Sequence, residues 1–198
     1  ETLTNVSLAF EKMRDVVNSE GACLAWGGSV SLSPTDDLII RVERALDLDS
    51  EGQMIASVIS KKLAAGSTHV LIDIPIGPTA KVRSADLAEK LGKMMISTGQ
   101  ALGLKVEIIL SDGSQPVGHG VGPALEARDV LAVLQCSDTA PQDLRQRSLS
   151  VAAKLLEMGG ACPEREGLAL ATQTLNNGAA WNKFQAICIA QGGLKTPP

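Results

Sequence analysis

Apolar and polar positions along the chain change their period repeatedly, and each change marks a boundary between a helix and a strand. Leu8, Met13, Val16 and Val17 stay near one face of a helix that Ser7 is placed to cap and that stops near Gly21. Ala22 to Trp26 is a short apolar run of strand type, closed by Gly27 and Gly28. Ser33-Pro34-Thr35-Asp36-Asp37 opens a second helix, with a capping serine, a proline in the first turn and carboxylates where the helix dipole favours them. Ser50-Glu51-Gly52-Gln53 matches a capping box and starts a helix running to about Ala65, with Gly66 behind it. His69 to Ile74 is almost wholly apolar, as expected of a strand buried on both faces. Asp86 to Leu102 carries Leu87, Leu91, Met94, Met95 and Ala101 at helical spacing; Lys105 to Leu110 reads as another strand and Gly122 to Gln135 as another helix. This order, with short connections, predicts an α/β fold whose mainly parallel sheet is flanked by helices. From Pro141 onward the pattern is helical, over Gln142 to Met158, Glu164 to Asn176 and Ala179 to Gln191, with Asn177-Gly178 separating the last two. No internal repeat interrupts it, and 198 residues suffice for one sizeable core but are short for two, so a single domain over 1–198 is expected.

Composition narrows the partners. A net charge of −4 gives no electrostatic footprint for nucleic acid or an anionic membrane, and 2% aromatic residues with no Tyr offer no stacking platform for single strands. No apolar run reaches the roughly 18 residues that span a bilayer, and Glu1 to Asn5 lacks the basic and apolar regions of a secretory signal. Cys23, Cys136, Cys162 and Cys188 show no C-x-x-C spacing, and His69 and His119 are the only histidines, so a zinc site is not expected. The four cysteines read as small buried residues of a cytoplasmic protein.

In an open α/β sheet, ligands collect beyond the carboxyl ends of the strands. Three loops rich in Gly, Pro, Ser and Asp emerge there, over Gly27 to Asp37, Asp73 to Arg83 and Ser111 to Pro123. Glycine lets a backbone approach a ligand, and turns need it too, so this composition leaves both readings open. Ser57 and Lys61 lie four apart on the capped helix and share a face, a hydroxyl beside an ammonium suited to a polar ring edge. The plainer reading is a solvated lysine with an incidental serine. Asp112 to Gly122 looks like a nucleotide loop but has neither G-x-G-x-x-G spacing nor a P-loop lysine. Within it His119 is a candidate general acid or simply a surface residue. Asp73, expected at a strand end, is a candidate hydrogen-bonding carboxylate or the cap of the next turn.

Ordered motifs go further. Ser33-Pro34-Thr35-Asp36-Asp37, Asp49-Ser50 and Ala56-Ser57-Val58-Ile59-Ser60-Lys61-Lys62-Leu63-Ala64-Ala65-Gly66, followed by Gln115-Pro116-Val117-Gly118 and Gly122-Pro123-Ala124-Leu125-Glu126, resemble the thymidine and pyrimidine-nucleoside phosphorylase family. Trp26-Gly27-Gly28, Pro34-Thr35-Asp36-Asp37, Asp73-Ile74-Pro75 and Gly77-Pro78-Thr79-Ala80-Lys81 resemble its second type, the branch that includes the AMP phosphorylases. The resemblance covers nearly the whole chain and implies the central α/β domain of a nucleoside phosphorylase. It implies a pentosyltransferase that cleaves thymidine or a related pyrimidine nucleoside with phosphate as co-substrate, giving free base and a sugar 1-phosphate, and it implies a homodimer at full length.

Residue by residue, Ser57 and Lys61 match the serine and lysine that hold the pyrimidine edge, with Lys61 as the catalytic cation. Val42, between Arg41 and Arg44, stands at the place of the family's base-binding arginine. That departure favours an AMP or nucleoside 5′-monophosphate phosphorylase as the alternative activity; a non-catalytic nucleoside-binding module is the alternative of another class. Thr35 and Asp36 are expected near the sugar or a 5′-phosphate. No organic cofactor is implied, but a monovalent cation is, held partly by the carbonyls of Val117 and Gly120 and the carboxylate of Asp129. The family's phosphate loop falls ahead of the position matching Glu1, so residues 1–198 by themselves are not expected to catalyse phosphorolysis.

Overall fold

The structure, a computed structural model, describes residues 1–27, 34–46 and 50–194, with the backbone alone at 37 and 43–46. The capping Ser33, the loop closure at Gly28 and most of the first glycine-rich loop lie outside these residues, as does the side chain of Arg44. Eight helices and two strands are present among the described residues: α1 (Phe10–Glu20), α2 (Pro34–Leu46), α3 (Glu51–Ala64), β1 (His69–Ile76), α4 (Ala85–Ala101), β2 (Lys105–Asp112), α5 (Pro123–Leu134), α6 (Gln142–Met158), α7 (Gly167–Asn176) and α8 (Ala179–Ala190). Their contacts divide into two compact units, residues 32–116 and residues 1–31 with 117–198.

The first unit is the α/β part. β1 and β2 run parallel in register from His69↔Lys105 to Ile76↔Asp112, joined through α4. Val70, Ile72, Ile74, Val106 and Ile108 share one face of this pair, and α4 covers it closely because it brings glycines there. A Cβ added at Gly92 would touch Ile108, and one at Gly99 would collide with Val106. Ile55 and Ile59 from α3 complete a core with Leu91, Met95 and Leu104. The strands are therefore less enclosed than their apolar run predicts: Val70 and Ile74 are buried, whereas Leu71, Ile72 and Asp73 are half-buried and His69 and Pro75 exposed. The reason is the sheet's width, since each strand has a single neighbour among the described residues.

The second unit is helical. Val133, Ala140, Leu149, Ala171 and Leu175 from α5, α6, α7 and the α5–α6 turn form its core. Two local expectations fail in it. α1 starts at Phe10 after Ala9, which has no side-chain oxygen to cap it; Ser7 lies two residues ahead, with its N–H bonded to Asn5 Oδ1. The run Ala22–Trp26 forms no strand; the Trp26 N–H bonds to the Val6 carbonyl at 2.8 Å, and a side chain serves Leu24. Buried Gln191 accepts the Leu24 N–H at 2.7 Å and donates to the carbonyls of Leu24 and Asn5, each at 2.8 Å. A primary amide thus bridges two extended segments beside their one direct backbone bond. α7 begins at Gly167, later than expected, after Arg165 adopts φ 74°. Of the four cysteines only Cys188 is buried; Cys136 is exposed in the turn after α5, and Cys23 and Cys162 are half-buried. No helix among the described residues is long and apolar enough to cross a membrane.

Candidate functional site

α3 places Gln53, Ser57 and Lys61 four residues apart, so one stripe carries an amide, a hydroxyl and an ammonium. The helix starts where Ser50 Oγ accepts the Gln53 N–H at 3.4 Å, one half of the capping box. The Gln53 side chain turns the other way, its amide N–H donating to a carboxylate. All three groups converge on Asp36, in the first turn of α2. Gln53 Nε2 donates to Asp36 Oδ1 at 3.1 Å; Ser57 Oγ donates to Oδ2 at 2.9 Å, and Lys61 Nζ lies 2.7 Å from the same oxygen. Asp36 is 5% exposed and Lys61 34% exposed, so the carboxylate is covered while the ammonium reaches solvent.

Burial opposes the charge on Asp36, but hydrogen bonds from Lys61 and Ser57, the Lys61 charge and the Gln53 amide outweigh it and hold the carboxyl below its ordinary value of 3.8. A lowered carboxylate pKa contributes stability that is fully present above the ordinary value and disappears as pH falls through the lowered one. Acid titration of thermal stability is expected to show this loss below pH 3.8, and to show less of it in Asp36→Asn. An unchanged acid response in that variant would contradict the assignment.

The cluster also fixes hydrogen-bond polarity. Ionised Asp36 only accepts, so it takes the single Ser57 hydroxyl proton and one of the three Lys61 protons. Toward a ligand Ser57 then presents lone pairs and Lys61 presents donors. The matching edge carries an N–H beside a carbonyl or ring-nitrogen acceptor. Lys62, the next residue, is exposed. Thr35 is exposed one residue before Asp36 and stands outside the cluster; Arg41 and Val42 are likewise exposed on α2.

At the ends of the strands the glycines serve the fold. A Cβ at Gly77 would collide with the backbone of Gly113, whose N–H bonds to the Ile76 carbonyl at 2.8 Å. Ser114 donates its N–H to Asp112 Oδ1 at 2.8 Å. Asp73 lies in the middle of β1 opposite Ile109 rather than at a strand end.

In the helical unit, the loop before α5 is tied by carboxylates. Asp129 Oδ2 accepts the N–H groups of His119 at 2.7 Å and Gly120 at 2.8 Å, and Asp143 Oδ2 accepts that of Gly118 at 3.0 Å. Gly118 has φ +88°, and a Cβ there would strike Asp129, so both conformation and space require glycine. The Gly118 bond, ahead of the Leu144 N–H, holds Asp143 below its ordinary value. The Asp129 carboxylate and Gly120 are thus adjacent, as the cation reading needs, but the contact runs through N–H groups. Among the described residues no group of three or more His, Cys, Asp and Glu gathers to hold a metal. Gly122 N–H bonds to Glu126 Oε1 at 3.0 Å, and this steadies the start of α5.

Two members of these sites escape a reading of spacing alone. Gln53 is visible as a capping residue, and only its position four before Ser57 signals its second use. Asp143, across 25 residues from Gly118, carries no local signal.

The fold and the α3 stripe define an α/β segment whose hydroxyl and ammonium are held by one buried carboxylate, and comparison with known proteins gives it relatives. Over all 198 residues the chain is 61% identical to a protein named "Putative thymidine phosphorylase 1" from Acidovorax sp. (strain JS42), and 61% identical to one named "Putative thymidine phosphorylase" from Polaromonas sp. (strain JS666 / ATCC BAA-500). Over 195 residues it is 57% identical to a protein of the latter name from Legionella pneumophila (strain Paris). The chain spans about two fifths of the length of these curated relatives, 39%, 39% and 38% respectively. At such identity along essentially its whole length, the chain is homologous to a segment of these proteins, whose names agree with the family its motifs resemble. No protein-family model matches the chain.

Proposed function

We propose that the intact protein is a pentosyltransferase that cleaves a pyrimidine nucleoside of the thymidine type with phosphate, and that this segment grips the base. The observation that carries the reading is the convergence of Ser57 and Lys61, the two residues matching the family's base-holding pair, from one face of α3 onto the same oxygen of Asp36. As phosphate attacks C1′ and the glycosidic bond breaks, positive charge spreads through the sugar and negative charge grows on the departing base. Lys61 directs its remaining N–H donors at that charge, so its interaction strengthens toward the transition state. Ser57 accepts from the base N–H and fixes the ring's orientation. Thr35, exposed at the start of α2, remains a candidate contact to the sugar side. A monovalent cation held by the Val117 and Gly120 carbonyls and Asp129 would stiffen the loop before α5. The full-length protein is proposed to act as a homodimer.

A second reading has its own support. Val42 occupies the place of the family's base-binding arginine and lies exposed on α2, which favours a nucleoside 5′-monophosphate such as AMP as substrate. Incubating the intact protein with phosphate and a panel of nucleosides and their 5′-monophosphates, with chromatography of the released bases, separates the two. Release from thymidine or uridine without a 5′-phosphate supports the first reading, and release restricted to 5′-monophosphates supports the second. Binding without any release would support a non-catalytic nucleoside-binding module.

A further inference from the structure

We propose that Asp36 is the positioning residue of this site: it does not touch substrate but holds Lys61 and Ser57 in the orientation that meets the base. The inference rests on the reading of Lys61 as the base-facing cation. Sequence matching places Asp36 near the sugar or a 5′-phosphate, whereas its geometry points the other way. The side chain is 5% exposed, and both oxygens are engaged by α3, Oδ1 by Gln53 and Oδ2 by Ser57 and Lys61. A carboxylate meeting the growing negative charge of a leaving base, or a phosphate, would repel it; behind Lys61 it instead anchors a long, flexible side chain. Its place in the first turn of α2 favours the ionised form through the helix dipole. The Gln53 amide occupies the second oxygen, which fixes the carboxylate plane and leaves Oδ2 aimed at Ser57 and Lys61. Leu38, Ile39, Ile40 and Val42 of α2 are exposed, while the Asp36 bonds tie α2 to α3 and thereby couple α2 to the lysine.

Two measurements test this, and the first needs no turnover. Acylation of the 198-residue chain, followed by peptide mass spectrometry with Lys62 as reference, is expected to label Lys61 several-fold more slowly than Lys62. The difference should largely vanish in Asp36→Asn and return partway in Asp36→Glu. Slowed proton exchange of the Lys61 ammonium, seen by ¹⁵N NMR in the unsubstituted chain, gives the same answer without a variant that has to fold. Equal labelling of the two lysines, or fast ammonium exchange at Lys61, would overturn the proposal. In the intact protein, Asp36→Asn is expected to lower kcat about 10²-fold with a smaller change in KM, as misplacing a reacting group does. The double variant with Lys61→Ala should be no slower than Lys61→Ala alone, whereas additive losses would mean that Asp36 acts independently and would refute it. If Lys61→Ala leaves base release untouched, the reading of Lys61 fails, while the labelling ratio still decides whether Asp36 restrains it.

Discussion

Replacing Lys61 by alanine in the intact protein is expected to lower kcat/KM by about 10²–10³, as loss of one electrostatic contact to a developing charge typically does. Lys61 is 34% exposed at the edge of α3, so its removal opens no cavity in the core formed by Ile55 and Ile59. It does leave buried Asp36 without its cation. Breaking a fully buried pair destabilises strongly, but this pair is half open to water and Asp36 keeps its bonds to Ser57 and Gln53. Lys61→Gln separates the two effects, since it retains a donor for Asp36 and removes the charge aimed at the base. Activity should fall in both variants, and thermal stability mainly in the alanine. Ser57→Ala should be milder, with a neutral hydrogen bond of roughly 1 kcal/mol lost. Lys62 is the control, because one residue along a helix turns the side chain by about 100°. If Lys62→Ala damages turnover as much as Lys61→Ala, with both proteins folded, the register of α3 and the role of Lys61 both fail.

The second large effect concerns the platform beneath the site. Leu91→Ala is expected to destabilise the α/β unit by about 2–5 kcal/mol, the usual range for truncating a buried leucine. Leu91 is 1% exposed on α4, within the cluster of Ile55, Ile59, Val70, Met95, Leu104 and Val106. The two glycine contacts to Val106 and Ile108 seat α4 so closely that its backbone has little room to collapse into the space left. Leu102, 47% exposed just beyond the same helix, is the comparison, and its change to alanine should stay within about 0.5 kcal/mol. Both tryptophans, Trp26 and Trp181, belong to the helical unit, so intrinsic fluorescence is a poor reporter here. Amide hydrogen exchange across α3, α4, β1 and β2 is the suitable readout. Protection unchanged in those elements would show that the core is not organised around Leu91.

Much of the architecture was legible because it rests on local signals. Gly66, Gly21 and Gly178 stop their chains with positive φ, Ser50 caps α3, and the apolar spacing of α4 and α6 fixes their extents within a residue. What escaped depends on partners distant in sequence. Ala22–Trp26 has the composition of a strand, but the hydrogen bonds of Leu24 come from Gln191, 167 residues away, and the Trp26 N–H goes to Val6. Ser7 has the right chemistry for a cap, yet the helix starts two residues further on, behind Ala9. The apolar run of β1 does not reveal how many neighbours the strand will have. At the site, the pairing of Ser57 with Lys61 follows from helical spacing, whereas the carboxylate that orders them comes from another helix. Glycines in the strand-end loops carry two meanings, and at Gly77 and Gly113 the meaning is backbone packing.

The most direct test of the central claim is the stoichiometry of the reaction in the intact protein. With thymidine or uridine and inorganic phosphate, base measured by chromatography and sugar 1-phosphate measured by ³¹P NMR should appear in equal amounts. Both should vanish when phosphate is omitted. Base release that continues without phosphate, or no base release from any nucleoside or nucleotide tested, would contradict the account.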